Sequence, residues 1–401
     1  MENEQVAFSF SDEDFQRDPA MVFESLREKC PVHHTSEPAP HFSLTREEDV
    51  VKALRDEKIW SSKYGPGLAF SEPGIGVLVS SDPPEHTSER IAISRIFKPS
   101  VIEKMEDGIS ELTHELIDSF GNRKSGDIIN DFAAPIPMTV MCWMLGTPTA
   151  DIELFRSWVL LMAEAVANSG GRESSDEVKS AYRDFFVYFE SHIEKRKEAI
   201  KSKGDYPKDL LTRLLTVAHE GRTLSTKKIL GFCQFLLVAG SETTTLMIGN
   251  VVHRLIENPQ QFELLKKNRS LLPNAIEESL RFDAPVHGLF RTNNERIVMH
   301  GVEIPENSKV CMMFASANRD PKAWDDPETF NIRRDLVDLR NHASFGVGSH
   351  YCLGAPLSRL EGTIALNAII ERLPKIRSNG KPNRTTAGVL KGFSSLPVRW
   401  D

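Results

Sequence analysis

Cysteine is scarce: five in 401 residues, at Cys30, Cys142, Cys233, Cys311 and Cys352, with no CxxC pair among them. That excludes a disulfide scaffold and a Cys-rich zinc module, and it fits a reducing compartment. A basic stretch followed by an apolar one is missing from the opening MENEQVAFSFSDEDFQRDP, so no secretory signal is predicted. No unbroken apolar run reaches the roughly 18 residues of a bilayer span. The stretches Trp158–Ala167 and Phe235–Gly240 are too short, and a cytoplasmic protein without a membrane anchor is expected. There is no excess of positive charge: 49 Lys and Arg against 57 Asp and Glu give a net charge of −8, which disfavours a dedicated nucleic-acid binder. Gly 24 and Pro 23 are ordinary and exclude collagen-like or largely disordered chains. Internal repeats are absent. So is a glycine-rich strand-to-helix fingerprint near the start, which disfavours a dinucleotide-binding or P-loop fold.

What is present is a chain long enough to bury about three quarters of its unfolded surface without staples. The first forty residues read as irregular, with one short helix at Pro19–Lys29. Ser43–Asp56 reads as a strand turning into a helix. Lys63–Ser81 is rich in Gly, Pro and Ser yet carries Leu68, Phe70, Ile75, Val77 and Leu78. Such a loop either covers a site or packs on the surface. Helical periodicity follows over Pro84–Phe97, Val101–Gly121, Asp131–Leu145, Asp151–Val166, Ser175–Lys203 and Lys208–Ala218, with a polar linker at Asn168–Ser175. Ser225 is a predicted N-cap for a helix running to about Asn258, where Pro259 stops it. Its middle, Gly231–Gly249, is apolar nearly all round and is expected to pass through the core. Pro273–Phe282 and Pro356–Leu373 are further helices. Arg296–Val298, Val302–Ile304, Lys309–Phe314 and pieces of Val389–Trp400 read as strands. The fold expected is mainly α with a smaller β portion, in one domain over residues 1–401.

Three motifs carry chemistry. FGVGSHYCLG, Phe345–Gly354, surrounds Cys352 with glycines just before a helix with Pro356 in its first turn. A thiolate there gains from the helix dipole and free N–H groups, and a lone thiolate is a ligand for haem iron. The alternative is a structural cysteine beside a tight turn. Within the long helix, Ala239-Gly240-Ser241-Glu242-Thr243-Thr244-Thr245 places an acid and three hydroxyls in apolar surroundings. With Gly240 leaving room for a small ligand, this suggests proton delivery. The alternative is a close helix crossing at Gly240. In Glu277-Glu278-Ser279-Leu280-Arg281, Glu278 and Arg281 share a face, while Glu277 and Arg281 have the spacing of an ordinary surface pair. Arg333 and Arg334 are candidates to complete a buried ion network.

Together these motifs resemble the cytochrome P450 family. FGxGxHxCxG matches at Phe345, Gly346, Gly348, His350, Cys352 and Gly354. AGxET matches at Ala239–Thr243, and ExxR at Glu278 and Arg281. DPPEHTSER at Asp82–Arg90, ANRDP at Ala317–Pro321 and SLPV at Ser395–Val398 extend the likeness over almost the whole chain. One departure is Thr329 in PETF, where many members carry Arg; Arg334 looks like the replacement partner of Glu278 and Arg281.

The resemblance implies a P450 fold, with the long helix over a haem and the Cys loop beneath it. Cys352 would ligate the iron of haem b, a site shaped also by Ala239, Phe345 and Gly354. His86, Arg90, Arg291 and His350 would meet the propionates, Glu242 and Thr243 would handle protons, and Glu278, Arg281 and Arg334 would form the structural ion network. Phe70, Leu78, Leu236, Val286, Leu289, Phe290 and Phe393 are the implied substrate pocket. The implied activity inserts one atom of O2 into a C–H bond of a small hydrophobic substrate, by hydroxylation or oxidative demethylation. Electrons would come from a separate ferredoxin or flavodoxin fed by an NAD(P)H-dependent reductase. Arg90, Arg95, Lys98 and Arg359 are the expected positive docking patch on a monomer. A peroxide-using peroxygenase and a non-catalytic haem or hydrophobic-ligand binder are the alternatives.

Overall fold

The computed structural model describes residues 10, 15, 17–74, 76–168, 175–216, 218–219, 222–385 and 388–401. The long helix runs over Thr226–Glu257, with Ser225 Oγ accepting from Lys228 N at 3.3 Å. It packs against Pro135–Leu145, Ile152–Asn168, Asp176–Lys201, Leu272–Phe282 and Ala355–Arg372, so its nearly all-apolar surface is accounted for by neighbours on most sides. By length and mean composition Ile128–Leu145 and Thr226–Glu257 are apolar enough to cross a membrane, although neither is an unbroken apolar run. Of their apolar windows, 78% and 67% are buried inside the protein.

A five-stranded sheet stands beside this helical body, in the order Val32–Thr35, His41–Leu44, Lys309–Met312, Leu289–Asn293, Trp60–Ser61. His41–Leu44 and Lys309–Met312 run parallel, and the other neighbours are antiparallel. Leu289–Asn293 is a strand where none was expected: five residues without a clean alternation give little signal. The expected helix Lys208–Ala218 is shorter, Leu210–Thr216, and a two-strand hairpin of Ala218–His219 with Arg222–Thr223 follows. Between its two end residues, the expected linker Asn168–Ser175 lies outside the described residues.

The strand period of two corrects the pocket expectation for Phe290. Leu289 and Arg291 share one sheet face with their partners Met312 and Val310, while Phe290 and its partner Cys311 take the other. There Phe290 is buried with Phe15, Phe23 and Met313. Phe393 is likewise core. Its ring meets His253 at 4.6 Å, with the Arg384 guanidinium 4.5 Å from its centroid. His253 lies ten residues beyond Thr243, about 15 Å along the helix axis. Gly240 makes no room for a ligand either. A Cβ there would stand 2.7 Å from Met141 Sδ, so the missing side chain lets Pro135–Leu145 cross close by.

Two adjacent carboxylates on Leu272–Phe282 tie the body together. Glu278 takes Arg281 in a two-point bond, 2.7 and 2.8 Å, with both side chains fully buried. Arg334 Nε lies 3.3 Å from the same carboxylate, and Asn331 N donates to it at 2.7 Å. At the position of the departure, the Thr329 backbone carbonyl accepts from both Arg281 and Arg334, at 3.2 Å each. Glu277 makes no surface pair with Arg281. It is buried, bonded to Arg359 at 2.5 and 3.0 Å and to His342 Nε2 at 2.9 Å.

Two outcomes are expected. Phe290→Ala should lower stability by about 3–5 kcal/mol in chemical denaturation, the cost of an aromatic deleted from a closed core. Burial alone would raise the Glu277 carboxyl, but the bonds from His342 and Arg359 overcome it and hold the group at about 2. A depressed carboxylate stabilises above its unfolded value near 4.5, and that contribution is lost as pH falls from there through about 2. Glu277→Gln should therefore remove about 3 kcal/mol at neutral pH and flatten the acid limb of a urea-midpoint-versus-pH profile.

Candidate active site

Cys352 stands between the turn Gly348–His350 and the helix Ala355–Arg372. Its N–H donates to Phe345 O at 2.7 Å, which closes the loop. Gly348 makes that loop possible: its φ is +78°, and a Cβ would meet Leu54 O at 3.0 Å. Arg359 covers the Phe345 ring, 4.5 Å from its centroid. Cys352 is exposed, yet burial is the main influence on its thiol and pushes it up. The sulfur thus opens onto an interior space rather than the outer surface. The N–H groups of Gly354 and Ala355 and the charges of Arg90 and Arg359 work in the opposite direction. They do not suffice to ionise the thiol, so a stable thiolate here calls for a further positive partner, as a metal provides.

Beside the loop, four basic side chains gather. The rings of His86 and His350 stack with centroids 3.9 Å apart. Arg90 donates to Tyr351 O at 2.8 Å, and Ser62 Oγ lies 3.2 Å from His350 Nε2. Arg291 is buried and bonds its own strand, at Phe290 O, 3.0 Å away. Burial, then Arg291, His86 and Arg90, drive His350 down to about 2. Burial also lowers Arg291 to about 10, with Asp82 and Glu57 opposing. Asp82 is engaged by Ser61 Oγ at 2.5 Å and Ser62 N at 2.7 Å. A cluster with this surplus of donors, buried at His86 and Arg291 and half-buried at Arg90 and His350, fits an anionic guest with two carboxylates. Ser62, Tyr351 and Asp82 were not singled out from the sequence; Asp82 and Tyr351 had a signal, their places in DPPEHTSER and FGVGSHYCLG.

The central helix has an opening of its own. Ala239 is exposed and Thr243, one turn on, partly so, while Leu236, Leu237, Ser241 and Thr244 around them are buried. Thr243 Oγ1 donates to Ala239 O at 2.9 Å, and Ser241 and Thr245 make the same bond one turn back, at 2.5 and 3.0 Å. Burial raises the Glu242 carboxyl, against the nearby charge of Arg156.

Of the remaining pocket candidates, Leu78 and Leu236 are buried in the main core, and Leu289 and Val286 are partly buried at the sheet. Phe70 is 58% exposed, its ring against Tyr64 and Lys309, so it lies outside any apolar lining. The expected positive patch also shrinks. Arg359 is taken up by Glu277 and Arg90 by the Cys loop, leaving Arg95 and Lys98 exposed.

Comparison with known proteins agrees with this geometry. The family model described as Cytochrome P450 matches residues 16–392. Cytochrome P450 107B1 of Saccharopolyspora erythraea is 35% identical over 374 residues, covering 89% of this chain and 88% of that one. Cytochrome P450 monooxygenase PikC of Streptomyces venezuelae is 30% identical over 401 residues, covering 97% and 92%. The structure of CYP109E1 from Bacillus megaterium in complex with testosterone superposes with a TM-score of 0.88 at 29% identity, covering 97% of this chain and all of that one. A thiol opening inward, a basic cluster beside it and a polar turn exposed on a buried helix are thus features of a chain that belongs to the cytochrome P450 family, the haem-thiolate monooxygenases.

Proposed function

We propose that the chain forms one catalytic domain for haem b, whose iron Cys352 Sγ would ligate. The observation that carries this is the inward-opening sulfur beside a cluster of two arginines and two stacked histidines. The cluster of His86, Arg90, Arg291 and His350 would take the porphyrin carboxylates. Ala239 and Thr243 would face the same group from the central helix, and Phe345 and Gly354 would shape the sulfur side. When bound, haem supplies the redox and oxygen chemistry of monooxygenation.

The chain's own residues do the rest. Ala239 keeps the helix surface low where O2 must fit. Thr243 commits its proton to Ala239 O, so its oxygen is left to accept a hydrogen bond from a group in the cleft. Glu242, whose carboxyl burial raises, is the acid next to Thr243 in the chain and serves as the proton donor to that turn. Arg156 opposes that rise and so helps return Glu242 to its charged form. Leu78, Leu236, Val286 and Leu289 offer apolar walls to a small hydrophobic substrate, for hydroxylation or oxidative demethylation. That CYP109E1 holds testosterone supports this substrate class. The electrons required come from a separate ferredoxin or flavodoxin fed by an NAD(P)H-dependent reductase. Arg95 and Lys98 offer that acidic partner a docking charge.

The reduced, carbon monoxide-bound visible spectrum should carry the band position of an axial thiolate, and Cys352→Ala should abolish it. A histidine-type band, or one indifferent to that substitution, contradicts the ligand assignment. Thr243→Ala should bind haem normally but lower product formed per NAD(P)H by about tenfold, with peroxide making up the difference. Unchanged coupling, measured as product against peroxide, would remove Thr243 from the proton path.

A further inference from the structure

Lys309 is a buried lysine with no carboxylate beside it among the described residues. Its side chain is 2% exposed, and burial, with Arg291 acting the same way, pulls it down to about 7. An unpaired buried ammonium is costly, and the sheet does not require it. Position 309 simply pairs with Thr292 at the end of a strand. What the ammonium does is hold another segment. Nζ donates to Tyr64 O at 2.8 Å and Gly65 O at 2.9 Å. It also lies 5.0 Å from the centroid of the Phe70 ring, which meets the Tyr64 ring edge-on at 5.9 Å. Phe290 N donates to Pro66 O at 2.9 Å, fixing the same stretch to the next strand.

The far end of the loop is pinned by different residues. Lys228, in the first turn of the central helix, donates to Gly76 O at 3.3 Å and pairs with Glu89 and Glu85 at 2.5 and 2.7 Å. Glu89 Oε2 accepts from Leu78 N at 2.6 Å and Ser81 Oγ at 2.8 Å. Between the two pins, residues 70–74 are exposed. The strap therefore begins at Ser62, beside His350, passes the sheet at Lys309 and reaches the central helix at Gly76, before Leu78 enters the core with Leu236. It thus ties the His350 side of the Cys loop to the start of the central helix.

We propose that Lys309 is a positioning residue that fixes the first half of this strap, and with it the size of molecule that reaches the cleft. The inference rests on the haem-thiolate reading of the cleft. The strap's exposed middle is then the part that yields, and Lys309 sets how far.

The test uses ferric holoprotein and two iron-binding probes of different size, cyanide and 4-phenylimidazole, followed by stopped flow. Lys309→Met should speed 4-phenylimidazole association by about tenfold while leaving cyanide within about twofold. Phe70→Ala, at an exposed position that folding does not depend on, should act in the same direction with a smaller effect, and it decides the matter if Lys309→Met does not fold. Equal acceleration of both probes, or no change in either, overturns the role of Lys309 when the carbon monoxide spectrum is that of a thiolate. A wild-type spectrum without the thiolate band would instead overturn the reading on which this inference rests.

Discussion

A carboxylate taken out of water must find its partners, and two such groups sit side by side on Leu272–Phe282. Glu278 and Glu277 leave the same turn for different destinations: one to Arg281, Arg334 and the 318–334 segment, the other to Arg359 and His342. Leaving either unpaired costs several kcal/mol, so the elements that bring those partners are held in register. His342 precedes the Cys loop and Arg359 follows it. Glu277 therefore grips both ends of the loop that carries Cys352. The frame of that loop is fixed by charge, which an apolar contact could not do as directionally.

The second constraint is the surplus of positive groups next to that loop. Burial first, and then the charges of Arg90 and Arg291, hold His86 and His350 down. A guest with carboxylates would supply the missing countercharge, and the same bonds would orient it. Binding energy and orientation thus come from one cluster, drawn from the helix Glu85–Ser94, the strand Leu289–Asn293 and the Cys loop.

Much of this was legible in the sequence where one local rule decides. Ser225 and Pro259 bracket the long helix, and the glycines around Cys352 announce a tight loop opening a helix. The chain could not reveal which of two helical spacings wins in space. Glu277 and Glu278 both stand within reach of Arg281, and only tertiary partners separate them. Leu289 and Phe290 are equally apolar, yet a strand turns them to opposite faces, and no clean alternation announced the strand. Phe393 and Gly240 read as pocket features because apolar and small residues serve a cavity and a close-packed contact alike. His253 and Met141, the neighbours that decide between those uses, are remote in the chain.

The order of strands in the main sheet has a consequence for biosynthesis. Trp60–Ser61 and His41–Leu44 wait for partners at Leu289–Asn293 and Lys309–Met312, some 230 to 270 positions later in translation. Cys352 emerges later still. The helical body can gather while the ribosome is still at work, but the cradle for a cofactor closes only at the end. Until then Trp60–Ser61 lacks its partner and the hairpin of Val32–Thr35 with His41–Leu44 keeps one open edge, the part of a nascent chain that a chaperone would shield.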